Sequence, residues 1–473
     1  MRKGRCCLEG NPHAARRHAK RTLNLRGRTL RETYIWKEIN MPKENSFSAK
    51  AIRAGYDSSE HFNSVNPPIY QTASFDLQDI DRTRRLWTGA EAGGIYSRVG
   101  NPTAGILEAR IAELEGGKAA VALSSGMAAI TYTLLLLGQG GGNIVSGSSL
   151  YGAAMLSLIK FLPKYGITTK FVEDRDDPEA YEALIDENTK AIYLESISNP
   201  NIELYDIDAI AEVAHRHGVP VVVDNTVATP YLYRPFEHGA DITVYSATKE
   251  INGHGNVIAG LVVEKGDFPY DEKRFPQFYE KEWKMRDLQD NRRSPIEFIP
   301  GAPVIASLKI FFAEFFGGAL GSFESFLVLQ GLSTLSVRLD KKVVTTRKIV
   351  EFLESRDEVE YVRYPYAKGS KYRALAERDY EIGPGALLSF GFKGTREQEG
   401  IFIKSLKNFS YHVNIGDVRS LITNPPENTH SELEPEYHKL ADIPKNIIRL
   451  SIGLEDAEDL IEDLKQAFEK AFE

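Results

Sequence analysis

Residues 244–260 read VYSATKEINGHGNVIAG and set Lys249 between an apolar, strand-like run and a loop of glycines broken by one histidine. Lysine is rich in side-chain entropy and seldom buried without a partner, so this placement is a poor choice for stability alone. Two hydroxyl donors, Ser246 and Thr248, flank it. Far upstream, the small-residue turn SSGMAA at 124–129 follows an apolar run and opens a helix, so its backbone N–H groups offer an anion site. Small residues also suit a helix packed tightly on a sheet, and the turn by itself does not separate the two readings. Asp224 closes the run VPVVVD, where an isolated Asp serves equally as a cap or loop residue. The lysine with its two hydroxyls is the group that packing does not explain.

The elements that must position these residues alternate. From about 104 to 265, apolar runs (119–123, 143–146, AIYLE, 219–223, 242–245) are each followed by a helical pattern or a polar turn, in the order βαβα. Runs as continuously apolar as Val219 to Val223 belong to parallel strands covered on both faces, so an α/β/α sandwich is expected. In such sheets ligands bind beyond the carboxyl ends of the strands, where SSGMAA, Asp224 and Ser246 all fall. Residues 266–316 break the rhythm with Phe, Pro and charge, as a lid, interface loop or insertion would. An amphipathic helix from Ser333 opens a second region with strands in GALLSFGF and NIIRLSIGLE and a last helix from Asp456. The expected division is a 1–40 extension, a 41–103 arm, a 104–332 α/β/α domain and a 333–473 α+β domain.

With 473 residues and 42% hydrophobic content, the chain has enough apolar material for one large and one smaller globular domain. No apolar run reaches the length of a membrane span. Positions 1–40 hold 11 Lys/Arg against 3 Asp/Glu, so the remainder carries −16 of the net −8, and the two parts have opposite charge. The extension has no apolar h-region for secretion; its arginines suit a transit peptide, but it lacks Ser. A disordered extension is the preferred expectation, with Met41 as an alternative start and a cytoplasmic location for the protein. Cys6 and Cys7 are the only cysteines, so the body can use no protein thiol, and no metal site is indicated. An acidic body also argues against nucleic acid.

YSRVGNPT (96–103), SSGMAA (124–129), LYG (150–152), ESISNP (195–200), VVVDNT (221–226), YSATKEINGHG (245–255) and RLSIGLED (449–456) occur in the order found in the Cys/Met-metabolism enzymes dependent on pyridoxal 5′-phosphate (PLP). From about residue 45 onward the sequence resembles that family. The resemblance implies a type-I PLP-dependent transferase fold, with a mainly parallel α/β/α sandwich and a smaller C-terminal α+β domain. It implies a homo-oligomer, a tetramer built as a dimer of dimers, and a Schiff base between PLP and Lys249. A lysine amine attacks an aldehyde only when neutral, a state that burial and nearby cations favour. By the same resemblance Asp224 pairs with the ring nitrogen and Tyr151 stacks on the ring. Gly126, Met127, Ser246 and Thr248 hold the phosphate, Tyr96 and Arg98 reach the phosphate of the neighbouring subunit, and Arg449 with Asn199 grips the substrate carboxylate. His254 is expected to structure its loop.

Family members differ in reaction, and site residues must choose among them. The stretch NIGDVRSLITNPPENTH at 414–430 is similar to the form in O-acetylhomoserine sulfhydrylases, with Asn414 first and a basic residue at 419. Ala153 stands where methionine γ-lyases typically carry cysteine, and the 266–316 segment matches the sulfhydrylase insertion in length and character. These features imply γ-replacement on O-acetyl-homoserine by sulfide or a thiol. Cystathionine γ-synthase and methionine or cystathionine γ-lyase are the alternatives, and a catalytically inactive PLP-binding homologue is a further one. Glu250 and Asn252 depart from the family's usual aromatic and glycine, and are expected to lie close to the substrate.

Overall fold

Seven strands form the principal sheet: β1 (Ala119–Leu123), β2 (Gly142–Gly147), β3 (Ile167–Val172), β4 (Thr189–Glu195), β5 (Val221–Asp224), β6 (Ile242–Ser246) and β7 (Gly260–Glu264). The structure, a computed structural model, describes residues 46–473; the expectations for residues 1–40 lie outside that range. The strand order is β1-β7-β6-β5-β4-β2-β3. β7 runs antiparallel to both β1 and β6, and every other pairing is parallel. Every residue of β5 and β7 is buried, as a sheet covered on both faces requires. Its two faces pack into separate apolar clusters, one including Val221, Val223 and Tyr245, the other Val222, Val244 and Tyr193. Helices such as Gly126–Leu137 and Ile207–Arg216 complete the layers.

The 266–316 segment holds a small hairpin, β8 (Glu282–Arg286) with β9 (Arg292–Arg293), and continues into helical turns from Pro303 to Phe316. A second sheet follows, of β10 (Val359–Arg363), β11 (Leu387–Phe392), β12 (Ser410–Tyr411), β13 (Leu421–Thr423) and β14 (Ile447–Ser451). Its order is β10-β11-β14-β13-β12, antiparallel except for β12 with β13. The 20-residue helix Leu335–Glu354 and the helix Ala457–Phe472, whose N-cap is Asp456, pack on one another and on this sheet's strands. Both sheets belong to one compact unit, Asn45–Glu473. Among the described residues no helix is long and apolar enough to cross a membrane.

Candidate active site

The carboxyl ends of β1, β4, β5 and β6 converge on a cleft of about 230 Å³. At the end of β1, Ser125 caps the helix Gly126–Leu137, its hydroxyl accepting the Ala128 N–H at 3.1 Å. Gly126 and Met127, the first two helical residues, have N–H groups with no intrahelical carbonyl to reach, so they face the cleft as donors. Glycine is required at 126, because a Cβ there would stand 2.5 Å from that of Ser246.

Ser246 ends β6 and also lines the cleft, its own N–H donating to Thr226 Oγ1 at 2.8 Å. The Thr248 hydroxyl is already engaged: it donates to the Ala259 carbonyl at 3.3 Å and accepts the Ala259 N–H at 2.9 Å. Asp224 ends β5, and its Oδ1 accepts the Thr226 N–H at 2.9 Å. Burial pushes this carboxyl up to about 6, opposed by the bonds from Thr226. Directly across the pairing with β4 stands Glu195, the register partner of Asp224. Burial, reinforced by the Asp224 charge, pushes Glu195 well above the usual carboxylate range.

Lys249 Nζ donates to Asn414 Oδ1 at 2.6 Å. Burial first, and the Arg449 charge second, pull the amine down to about 8. The turn bearing Asn414 lies hard against the lysine backbone: Gly416 has φ +73°, and a Cβ there would come within 2.5 Å of the Glu250 nitrogen. Arg449, on β14, is 2% exposed. It donates through Nη1 to Asn199 Oδ1 at 2.8 Å and through Nη2 to the Asn414 carbonyl at 3.0 Å. Its Nε is buried without a partner among the described residues. Tyr151 lines the same cleft.

Of the twelve site residues read from the sequence, ten line this cleft: Gly126, Met127, Tyr151, Asn199, Asp224, Ser246, Thr248, Lys249, Asn414 and Arg449. Tyr96 and Arg98 do not. Tyr96 is exposed, and Arg98 donates to the Glu314 carbonyl at 2.6 Å. His254 faces its own loop, with Nδ1 2.7 Å from the Asn252 carbonyl oxygen. The expectation that Glu250 and Asn252 lie against the substrate is overturned. The Glu250 carboxylate turns away from the cleft to fully buried Lys342, at 2.7 Å, while Asn252 Nδ2 donates to Asn256. Arg419 is likewise outside the cleft, bound to Asp417. Sequence reasoning missed Glu195, Thr226 and Thr429, which also line the cleft. Glu195 and Thr226 lie inside ESISNP and VVVDNT, four residues before Asn199 and two after Asp224.

The donor set fits PLP. Helix N–H groups and the Ser246 hydroxyl suit a phosphate, a lysine amine depressed toward neutrality suits an aldehyde, and a buried carboxyl suits a ring nitrogen. The unpartnered Nε of Arg449 leaves donor capacity for an anionic substrate. Fold and site together define a PLP-dependent enzyme of the type-I fold. Residues 48–469 match the Cys/Met metabolism PLP-dependent enzyme family, and the chain belongs to it. A homocysteine synthase of Schizosaccharomyces pombe is 41% identical over 91% of this chain and all of its own length. An L-methionine gamma-lyase of Treponema denticola is 37% identical over 90% of this chain and 97% of its own. The crystal structure of an O-acetylhomoserine (thiol)-lyase assignment from Campylobacter jejuni, carrying N′-pyridoxyl-lysine-5′-monophosphate, superposes with a TM-score of 0.84. It is 34% identical and covers 90% of this chain and all of that one.

Proposed function

We propose that the chain catalyses γ-replacement on O-acetyl-homoserine with sulfide or a thiol, giving homocysteine and acetate. The observation that carries this reading is the 2.6 Å bond from Lys249 Nζ to Asn414, the residue whose type is sulfhydrylase-like in the sequence. PLP, when bound, supplies an electron sink for carbanions of the amino acid. Lys249 would anchor it and would move protons through Nζ at the α- and β-carbons; Asn414 holds that amine in place. The γ C–O bond breaks, acetate leaves and a C–S bond forms. Arg449 and Asn199 bind the α-carboxylate, for which a guanidinium offers a planar fork. Asp224 would pair with the ring nitrogen, Tyr151 would cover the ring, and Gly126, Met127 and Ser246 would hold the phosphate, with Thr248 beside them.

Among the described residues, only Lys249 and Arg449 bring positive charge to the cleft lining. A phosphate dianion calls for more, and this supports reading Tyr96 and Arg98, on the 41–103 arm, as donors to a neighbouring subunit's site. A site shared in this way requires at least a dimer; we further propose a cytoplasmic homotetramer, with 104–332 as the cofactor domain and 333–473 as the C-terminal domain. The L-methionine gamma-lyase relative keeps γ-elimination as the second reading. Purified protein is given O-acetyl-homoserine with sulfide, then methionine and cystathionine alone. Homocysteine from the first mixture supports replacement; rapid 2-oxobutyrate without a thiol acceptor overturns it.

A further inference from the structure

Glu195 is the cleft's second carboxyl, and none of the roles above uses it. It is 4% exposed, and its two oxygens serve two different segments. Oε1 accepts the Tyr151 N–H at 2.6 Å and Oε2 accepts the Asn199 N–H at 3.2 Å. Tyr151 caps the helix Gly152–Leu156 without a side-chain cap of its own, so Glu195 supplies that segment's fixed point. Asn199, in turn, accepts Arg449 Nη1 at 2.8 Å. Three stretches distant in sequence, at Tyr151, at Glu195 with Asn199, and at Arg449 of the second sheet, are thus tied in series.

The residue type is informative. Burying a carboxyl beside Asp224 is unfavourable, and a hydroxyl or amide satisfies a single backbone donor more cheaply. Two N–H donors approach from different directions, one to each oxygen, and a carboxyl meets both, whereas an amide would turn an N–H₂ toward one of them. We propose that Glu195 is a positioning residue that fixes the separation between Tyr151 and the Asn199–Arg449 pair, and so sets how the amino-acid substrate is presented to Lys249. This rests on the reading of Arg449 and Asn199 as the carboxylate grip.

The test uses the full-length enzyme as purified, with Glu195→Gln, Glu195→Asp and, as a control on the grip, Arg449→Lys. Gln keeps one acceptor and turns an amide N–H₂ toward the other donor. Hydrogen exchange, read by mass spectrometry on peptides spanning Tyr151 and Asn199, is expected to accelerate about tenfold in at least one of them in Glu195→Gln, with other segments unchanged. KM for the amino acid is expected to rise about tenfold while kcat falls less than about threefold, the pattern of lost substrate placement. Glu195→Asp, with two oxygens on a shorter arm, falls between. Unchanged exchange in both peptides, or an unchanged KM, in a folded variant overturns the proposal. Should neither variant fold, the wild type decides: slow exchange at both amides upholds the double anchor, and fast exchange at either refutes it. Arg449→Lys raising KM while Glu195→Gln does not would remove Glu195 from the account and leave the grip standing; no effect of Arg449→Lys would remove the grip itself.

Discussion

Glu250, the residue after Lys249, and Lys342 form an ion pair at 2.7 Å with side chains 6% and 0% exposed. Arg338 adds a second cation 3.9 Å from the same carboxylate, and its guanidinium donates to the Glu250, Ile251 and Gly331 carbonyls. Both cations come from the helix Leu335–Glu354, so this pair ties the loop after the lysine to the second region. Removing one partner of a buried pair costs about 3–5 kcal/mol, because the other charge is left without compensation. The surroundings make the two removals unequal. Glu250→Leu leaves two cations facing each other and should cost the full range, about 3–5 kcal/mol. Lys342→Met leaves the carboxylate beside Arg338, so its cost should be smaller, about 2 kcal/mol. The double variant, with apolar groups on both sides, should recover most of the loss. Urea unfolding of all four proteins at pH 7.5 measures this. Equal losses for the two single variants, or additive losses in the double, would refute the reasoning.

Three further outcomes follow from the same geometry. Lys249 is depressed to about 8, so between about 8 and its ordinary value the unfolded chain binds the proton more readily and stability rises with pH. Cofactor-free Lys249→Met should therefore resist urea better than cofactor-free wild type at pH 7, and the difference should shrink toward pH 10; a constant difference contradicts it. His430 accepts or donates to Thr429 Oγ1 at 2.9 Å and lies 3.2 Å from the Leu150 carbonyl oxygen, and burial pulls its ring down to about 4. Its neutral form is the folded one, so its contribution should be full above the ordinary value of 6.5 and be lost as pH falls to about 4, a slope that His430→Gln should flatten in acid-unfolding curves. Because the Thr248 hydroxyl is already bound to Ala259 whereas Ser246 Oγ has no hydrogen-bond partner among the described residues, Ser246→Ala should weaken PLP binding more than Thr248→Val does, by about fivefold on fluorescence titration.

Much of the site was legible because its residues stand at strand ends, where local pattern and chemistry coincide. An apolar run ending in Asp224 or Ser246 marks both the strand and the place a ligand binds. Glu195 sat in a quoted motif, yet its importance depends on register: the pairing that places it beside Asp224 joins strands separated by a helix. Glu250 failed for a related reason. Its neighbour in sequence is the site lysine, but its partner is Lys342 on a distant helix, and only the packing of that helix shows which way the side chain turns. Position 419 gave a basic residue without showing that Asp417 holds it outside the cleft. The antiparallel pairing of β7 between β1 and β6 follows from the short return after the Lys249 loop, which leaves no room for a crossover helix.

The most direct test of the central claim, that Lys249 is the residue at which this cleft holds PLP, is peptide mapping after borohydride reduction of the purified enzyme loaded with PLP. The account predicts one modified peptide, with the added pyridoxyl-phosphate mass on Lys249, and a colourless Lys249→Ala protein. Modification at another lysine, or a coloured Lys249→Ala protein with the same reducible absorbance, would contradict it.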